Sequence, residues 1–341
     1  MDVVLADNLE RWTQYVRSRP AANHGLRPEW RAIIQGAYGL RSHYLEAYDD
    51  GRCVGVLPLY EQPTLFWGKA LISIPFSTYG GVLADSQEAT KALIAQAEQL
   101  GRSTGAKYVE LRQVHPSGQP LQTHTNNVRT CCRLDESDET HLQRLNQRTR
   151  RELRKCHAER LTVRFGPDCL QAFYSLWADR MHQLGTPAHG PAFFSEAQSA
   201  FGEDLWTALV EWQGRPVAAG MCLVWHDTCN FLWAAAARQA GNCSPNYLLY
   251  WACIQRARQQ ALLHFDMSRA TKGSTVLAFK RTWRGDETDL PYQYVELNGE
   301  IPPEAGVLTR SRRLLIRMWQ ALPAPVAGAL GPWACRRIPV Y

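Results

Sequence analysis

Along two stretches of this chain, hydrophobic and polar positions alternate at the period of a strand and then change to that of a helix. In the first, Ser42 to Tyr48 reads as a strand, the turn Asp49-Asp50-Gly51 follows, and Arg52 to Tyr60 returns as a second strand. After Pro63 comes a β-rich run, Ala70 to Leu83. Ser86 then sits as N-cap of a helix whose apolar Ala89, Leu93, Ile94, Ala97 and Leu100 recur at helical spacing, and Tyr108 to Arg112 is a further strand.

The second stretch repeats that order. Leu205 to Trp212 ends at the turn Gln213-Gly214, and Arg215 to Trp225 and Thr228 to Ala237 are the next two strands. Ser244-Pro245 supplies an N-cap with proline at the first helical position. The helix runs through Tyr247, Leu248, Trp251, Ile254 and Ala257 to Ala261, and His264 to Ser268 is a strand. Gly51-Arg52 and Gly214-Arg215 are equivalent turns, so the pattern predicts a duplicated ββ(β)αβ unit. Mixed, mostly antiparallel sheets flanked by helices make an α+β fold rather than a doubly wound one. The expected division is a first domain over 1–140, a second over 141–300 that opens with a basic helix, and a basic, apolar tail over 301–341.

Composition narrows the class. In 341 residues, 45% are hydrophobic and 21% charged, which excludes disordered, collagen-like and coiled-coil readings. The ten cysteines show no C-x-x-C spacing and read as reduced, mostly buried thiols of a cytosolic protein. The N-terminus lacks the basic and apolar regions of a signal peptide. The uncharged run from Met318 to Cys335 is interrupted by Pro323, Pro325, Gly328, Gly331 and Pro332, so it is expected to lie against a membrane rather than cross one. Neither G-x-G-x-x-G nor G-x-x-x-x-G-K-[ST] occurs, which argues against nicotinamide and P-loop nucleotide chemistry.

The net charge of +6 is concentrated. Arg144, Arg148, Arg150, Arg151, Arg154, Lys155 and Arg160 face only Glu152 and Glu159 within one segment. Read as a single helix, it places Arg144, Arg148, Arg151 and Lys155 on one face, with Arg150 and Arg154 in the adjacent row. Such a stripe suits a lipid-diphosphate sugar carrier, an anionic membrane surface or RNA; a solvated helix face is the plain alternative. A phosphate-rich partner is the favoured reading. A second basic run, Arg310, Arg312, Arg313 and Arg317, is interleaved with Leu314, Leu315, Ile316, Met318 and Trp319, as in a helix at a bilayer interface or one docked on the core.

The order of hairpin, strand, helix and strand resembles the GNAT acyltransferase fold, and two copies in one chain resemble the FemAB group of tandem-GNAT transferases. Several segments are most similar to the FemAB-like proteins of exosortase (PEP-CTERM) exopolysaccharide systems: Gly55-Val-Leu-Pro-Leu59, Ser73-Ile-Pro-Phe76 with Tyr79-Gly-Gly81, Arg150-Arg-Glu-Leu-Arg-Lys155, Met181-His-Gln-Leu-Gly-Thr-Pro187, and Phe265-Asp-Met-Ser-Arg269 leading to Phe279-Lys280-x-x-Trp283. The resemblance covers roughly residues 24 to 295. It departs at Met267-Ser268, where the family has Phe-Gly, and at Trp283-Arg284-Gly285, where it has Trp-Gly. The chain has no room for the long helical-hairpin arm of the peptidoglycan-bridge members, which argues against direct transfer from aminoacyl-tRNA.

The resemblance implies a cytoplasmic acyl- or aminoacyltransferase, peripheral at the inner membrane, acting on an amine or hydroxyl of a cell-envelope polysaccharide or peptidoglycan-type precursor. The acceptor is a saccharide or lipid-linked diphosphate, and RNA is the least expected partner. The alternative is a catalytically silent GNAT-like module that binds exopolysaccharide intermediates. Transfer in a ternary complex draws much of its rate from proximity, about 7–11 kcal/mol in well-oriented cases, so no covalent enzyme nucleophile is needed and no metal is implied. Acyl-CoA or another activated acyl donor is expected at Arg238-Gln-Ala-Gly241-Asn-Cys243, running into a helix at Ser244, where free amides attract a pyrophosphate; Cys243 stands where the GNAT pattern has its last glycine. An ordinary turn before a helix is the plain reading of the same loop.

Asp266 is a candidate proton acceptor and Arg269 a bidentate anion binder, against the alternative of an ion pair between them. Lys280 is a candidate for stabilising charge on the transferred carbonyl oxygen, against a solvated surface lysine. His182 is the one motif residue of a type whose unperturbed pKa lies near neutrality; it stands beside a turn, where capping is its alternative role. Tyr79, with Gly80-Gly81, and Tyr292 or Tyr294 are candidates for lining the acceptor groove, against a place in the core. Arg151 and Arg154 are expected to hold the acceptor's phosphates.

Overall fold

The computed structural model describes residues 1–65, 68–135, 137–299, 301–304 and 310–338, apart from the side chains of 310–312. It divides into two compact units: Met1–Asn127, Asp289–Val307 and Trp333–Tyr341 form the first, and Val128–Thr288 and Leu308–Pro332 the second. The division precedes the expected one at 140, and a later segment returns to unit 1 because residues 292–296 pair with 108–112.

Unit 1 begins with β1 (Asp2–Leu5), α1 (Glu10–Arg17), α2 (Glu29–Tyr38), β2 (Ser42–Asp49) and β3 (Arg52–Thr64). It continues with β4 (Gly68–Ile72), β5 (Leu83–Ala84), α3 (Gln87–Thr104) and β6 (Tyr108–Arg112). The chain passes into unit 2 along β7 (Gln122–Arg133), followed by α4 (Asp138–Arg144), α5 (Gln147–Ala158), β8 (Thr162–Phe165), α6 (Leu170–Leu184) and α7 (Pro191–Phe201). Next are β9 (Leu205–Trp212), β10 (Arg215–Trp225), β11 (Thr228–Ala236), α8 (Pro245–Gln259), β12 (His264–Thr271) and α9 (Thr275–Arg281). The last elements are β13 (Asp286–Glu296), α10 (Arg310–Ala321) and α11 (Ala324–Cys335).

In unit 1 the strand order is β1-β2-β3-β4-β6-β13, antiparallel except where β4 and β6 run parallel. α3 lays Ala89, Leu93, Ile94 and Ala97 against Leu45, Leu57, Leu59, Leu71 and Val109 of that sheet. Unit 2 has the order β12-β11-β10-β9-β8, antiparallel except for parallel β11 and β12. The succession β2-β3-β4-α3-β6 thus recurs as β9-β10-β11-α8-β12, and the duplicated α+β unit is present. The expected strand over 70–83 is instead β4 and the short β5. Between them the chain turns, and the amides of Gly80 and Gly81 both donate to the Arg112 carbonyl.

Two irregularities shape unit 2. Opposite Met221 and Cys222 of β10, β11 carries Trp233 and Phe231, so Leu232 is an extra residue in a bulge. The bulge lets Phe231 meet Tyr250 of α8 while Trp233 meets Phe193 and Phe194 of α7. Parallel pairing of β11 with β12 spans only Thr228–Asn230 and His264–Asp266. Beyond Asp266 the parallel ladder stops. In the tail, the apolar run forms parts of α10 and α11, and among the described residues no helix is long and apolar enough to cross a membrane.

Candidate active site

Beyond the last position at which β12 pairs with β11, Ser268 adopts φ +58°. In a regular strand successive carbonyls point to opposite sides, but a left-handed residue curls the backbone. Here the carbonyls of Met267, Ser268 and Arg269 converge on Lys280 Nζ of α9, which donates to Met267 O, to Ser268 O at 3.0 Å and to Arg269 O at 2.7 Å. Lys280 is only 3% exposed, so the surface-lysine alternative does not hold. Burial pushes its pKa down to about 7, opposed by the negative charge of Asp266 and reinforced by Arg269.

The Phe279-Lys280-x-x-Trp283 motif has a mechanical reading. Phe279 packs edge-on against Tyr247 and Tyr250 of α8, and Trp283 stacks on Tyr250 at 5.6 Å. The two aromatics, four residues apart on one face, clamp the short α9 to α8 and fix where Lys280 emerges.

Asp266 is fully buried. Its Oδ2 receives Arg129 Nε at 2.5 Å and its Oδ1 accepts the Ser268 amide at 2.7 Å. This corrects its expected role: a sealed carboxylate with both oxygens engaged is placed to hold the bend and set the field at Lys280, not to meet a nucleophile. Its ion-pair partner is Arg129 of β7, which sequence reasoning missed because the two residues are joined only by tertiary folding.

The donor loop does not fit a pyrophosphate. Ala240 and Cys243 exchange both backbone hydrogen bonds, closing a tight turn. Glu159 accepts from the Asn242 amide and side chain, both at 3.0 Å, and Glu152 lies 3.4 Å from the Ser244 amide. A side chain at Gly241, φ +57°, would come within 2.3 Å of Glu159 Oε2. Carboxylates of α5 and of its C-cap, Glu152 and Glu159, thus occupy amides that an anionic donor would need, and Pro245 at the helix start has no N–H to offer. Arg238 is exposed, but the Gly241 to Ser244 turn it borders is already filled. The plain reading of this loop is the one the geometry supports.

The arginine segment is not one helix. Asn146 ends the α4 stretch and caps α5 by accepting the Thr149 amide at 2.8 Å. Arg144 therefore belongs to α4 and pairs with Asp135 at 2.7 Å, and Lys155 pairs with Glu152 at 3.0 Å. What survives of the stripe is Arg148, Arg150, Arg151 and Arg154 on the exposed side of α5, whose Thr149, Leu153 and Cys156 are buried. His182 lies in the last turn of α6, half-buried, with no hydrogen-bond partner for Nε2 among the described residues.

Tyr79 and Tyr292 are core residues of unit 1. Tyr79 is buried against the His24 ring at 4.9 Å, and Gly25 is required beside it because a Cβ there would fall 2.0 Å from the Tyr79 carbonyl oxygen. Tyr292 donates to Thr78 O at 2.5 Å and lies under the Arg112 guanidinium. Neither faces solvent, so neither lines an acceptor groove as expected. Unit 1 does contain a solvent-open cleft of about 170 Å³ between α3 and the 113–117 segment, lined by Asn23, Gln87, Thr90 and Gln113, which no motif signalled. The cysteines are all free, and eight are buried. Burial and the Asp266 charge push Cys131 up to about 12, which leaves it a protonated thiol at neutral pH. Among the described residues no group of three or more His, Cys, Asp or Glu could hold a metal ion.

Comparison with known proteins follows this geometry. Residues 143–281 match the family described as an acetyltransferase (GNAT) domain. The solved structure of FemX is similar with a TM-score of 0.68 at 13% identity, covering 87% of this chain and 98% of that one. The C-terminal domain of an Agrobacterium fabrum protein assigned as a lysylphosphatidylglycerol synthetase gives 0.55 at 14% identity, over 85% and 92% of the two chains. A tandem GNAT protein from the clavulanic acid biosynthesis pathway gives 0.54 at 12%, over 88% and 99%. No curated protein matches in sequence. The fold is that of the tandem-GNAT proteins, and residues 143–281 carry the part that matches a GNAT acetyltransferase domain.

Proposed function

We propose that the protein transfers an acyl or aminoacyl group directly onto an amine or hydroxyl of a cell-envelope saccharide precursor. The observation that carries this reading is the buried Lys280, held by three carbonyls at the bend of β12 with a pKa of about 7. Perturbed groups of this kind cluster at functional sites, and a group poised near working pH suits proton and charge management. In the transfer, the acceptor's nitrogen or oxygen bonds to the donor's carbonyl carbon, the leaving group departs and the nucleophile gives up its proton. With its three N–H groups already given to the Met267, Ser268 and Arg269 carbonyls, Lys280 answers the charge developing on the carbonyl oxygen through its field rather than by a direct hydrogen bond. Asp266, Arg129 and Ser268 hold it in place. His182, with its unspent Nε2, is the candidate to take the proton.

The polysaccharide context rests on the resemblance to the FemAB group alone; the neighbours named FemX and lysylphosphatidylglycerol synthetase support the coarser cell-envelope setting. Arg151 and Arg154, exposed on α5, and Arg269 are the proposed contacts to the acceptor's phosphates. The filled Gly241 to Ser244 turn argues against a donor held there by its pyrophosphate. Free thiols agree with work in the cytoplasm.

The test is transfer of a labelled acyl group onto nucleotide-linked and lipid-linked saccharides. Lys280→Met should lose at least a hundredfold in turnover, the scale on which a charge-stabilising donor acts, while keeping its folded circular dichroism. Undiminished turnover in that variant would remove the basis of the reading.

A further inference from the structure

The C-terminal helices present apolar side chains to solvent. On α10, Leu314 is 60% and Met318 58% exposed, with Leu315 exposed beside them. The opposite face is anchored: Ile316 Cγ2 would lie 2.6 Å from a Cβ at Gly185, and Gln320 Nε2 donates to Gln183 O at 2.8 Å. Ile316 and Gln320 are one turn apart, as are Leu314 and Met318 on the other side. α10 is therefore seated on the turn after α6 and turns its larger apolar residues outward. On α11, Val326, Leu330 and Trp333 are exposed at i, i+4 and i+7, and the Arg337 guanidinium lies 4.4 Å from the Trp333 ring centroid.

Charge identifies the occupant. After Glu304 the sequence contains no Asp or Glu, whereas Arg310, Arg312, Arg313, Arg317, Arg336 and Arg337 all fall in that segment. Arg313 and Arg317 are exposed, one turn apart, alongside the apolar face. A second copy of the chain would bring like charges together across a two-fold contact. A bilayer with anionic headgroups meets both features: acyl chains accept Leu and Met, and the headgroups accept arginine.

We propose that the outer face of α10 docks on an anionic lipid surface, lying in its interface. α10 rests on the Gly185 turn of the Met181-to-Pro187 motif, so docking would bring that motif close to the lipid. The inference rests on this surface alone and not on the assigned chemistry.

Cosedimentation of the full chain with vesicles tests it. The protein should bind an equal mixture of phosphatidylcholine and phosphatidylglycerol, dissociate at high salt, and leave pure phosphatidylcholine in the supernatant. Arg313→Gln and Arg317→Gln should each weaken binding about fivefold. Leu314→Asp with Met318→Asp should abolish it without altering the thermal melt, because both positions are exposed. Absence of binding, equal binding to neutral vesicles, or a solution dimer dispersed by the same two Asp substitutions would overturn the proposal, the last by assigning the surface to a second copy.

Discussion

Lys280 Nζ lies 3.0 Å from the carbonyl oxygen of Ser268, the residue at which β12 turns left-handed. The bend and the buried amine depend on each other, since the bend gathers the carbonyls and the amine satisfies them. This coupling gives stability a defined dependence on pH. The Lys280 pKa falls from 10.5 in the unfolded chain to about 7 in the folded one, because burial disfavours the ammonium. Between those values the unfolded state binds more protons, so stability rises with pH across that window, at up to ~1.4 kcal/mol per pH unit. Below about 7 both states are protonated and the burial cost is undiminished. Urea melts across the window should show the rise in the wild type and a flat response in Lys280→Met.

Ser268 and Arg284 are the two places where the resemblance to the FemAB-like proteins leads one to expect glycine, and both have positive φ, 58° and 61°. Glycine is preferred there because an L side chain in this conformation costs roughly 1–2 kcal/mol. Arg284 is exposed, so Arg284→Gly should stabilise by ~0.5–1 kcal/mol after allowing for the entropy of glycine. Ser268 differs because its Oγ donates to Phe231 O at 2.9 Å, a bond worth about 1 kcal/mol. Ser268→Gly should therefore be near neutral. Paired thermal melts separate the two cases, and equal gains would show that the Ser268 hydroxyl contributes nothing.

Arg129 and Asp266 form a pair in which the carboxylate is fully buried and the guanidinium is 24% exposed. Removing only Arg129 leaves a buried charge. Arg129→Leu should cost about 3 kcal/mol, at the lower end for such pairs because solvent still reaches the site. Asp266→Asn should recover part of that loss when combined with it, and the coupling energy from denaturant titrations measures how much.

The repeat was legible because hairpin turns and helix caps are local: Gly51, Gly214, Ser86 and Pro245 each mark a boundary within a few residues. Lys280 and Asp266 were legible as motif residues, but their roles were not. Nothing local says that Lys280 is buried, or that Arg129 lies far back in the chain beside Asp266. Tyr79 and Tyr292 read equally as groove or core, since an aromatic on a strand satisfies both patterns. The arginine stripe failed at Asn146, a residue that serves as a helix interior position on paper but caps far better than it propagates.

The donor loop carries the last prediction. Asn242 and Ser244 offer their amides to Glu159 and Glu152, at 3.0 and 3.4 Å. A CoA pyrophosphate arriving there would have to displace two carboxylates of its own sign and recover bonds already made. Binding of CoA through this loop should thus be absent in the wild type, and Arg238→Ala should change no donor affinity. Neutralising the occupants, with Glu152→Gln and Glu159→Gln together, should strengthen any CoA binding measured by calorimetry, because the repulsion is removed and the amides are held less tightly. The stability cost of the Glu159 change should stay under ~1 kcal/mol, since the contact lies at the surface. Tight CoA binding to the wild type that weakens with Arg238→Ala would mean that α5 moves aside for the donor, and the loop would return to the active site.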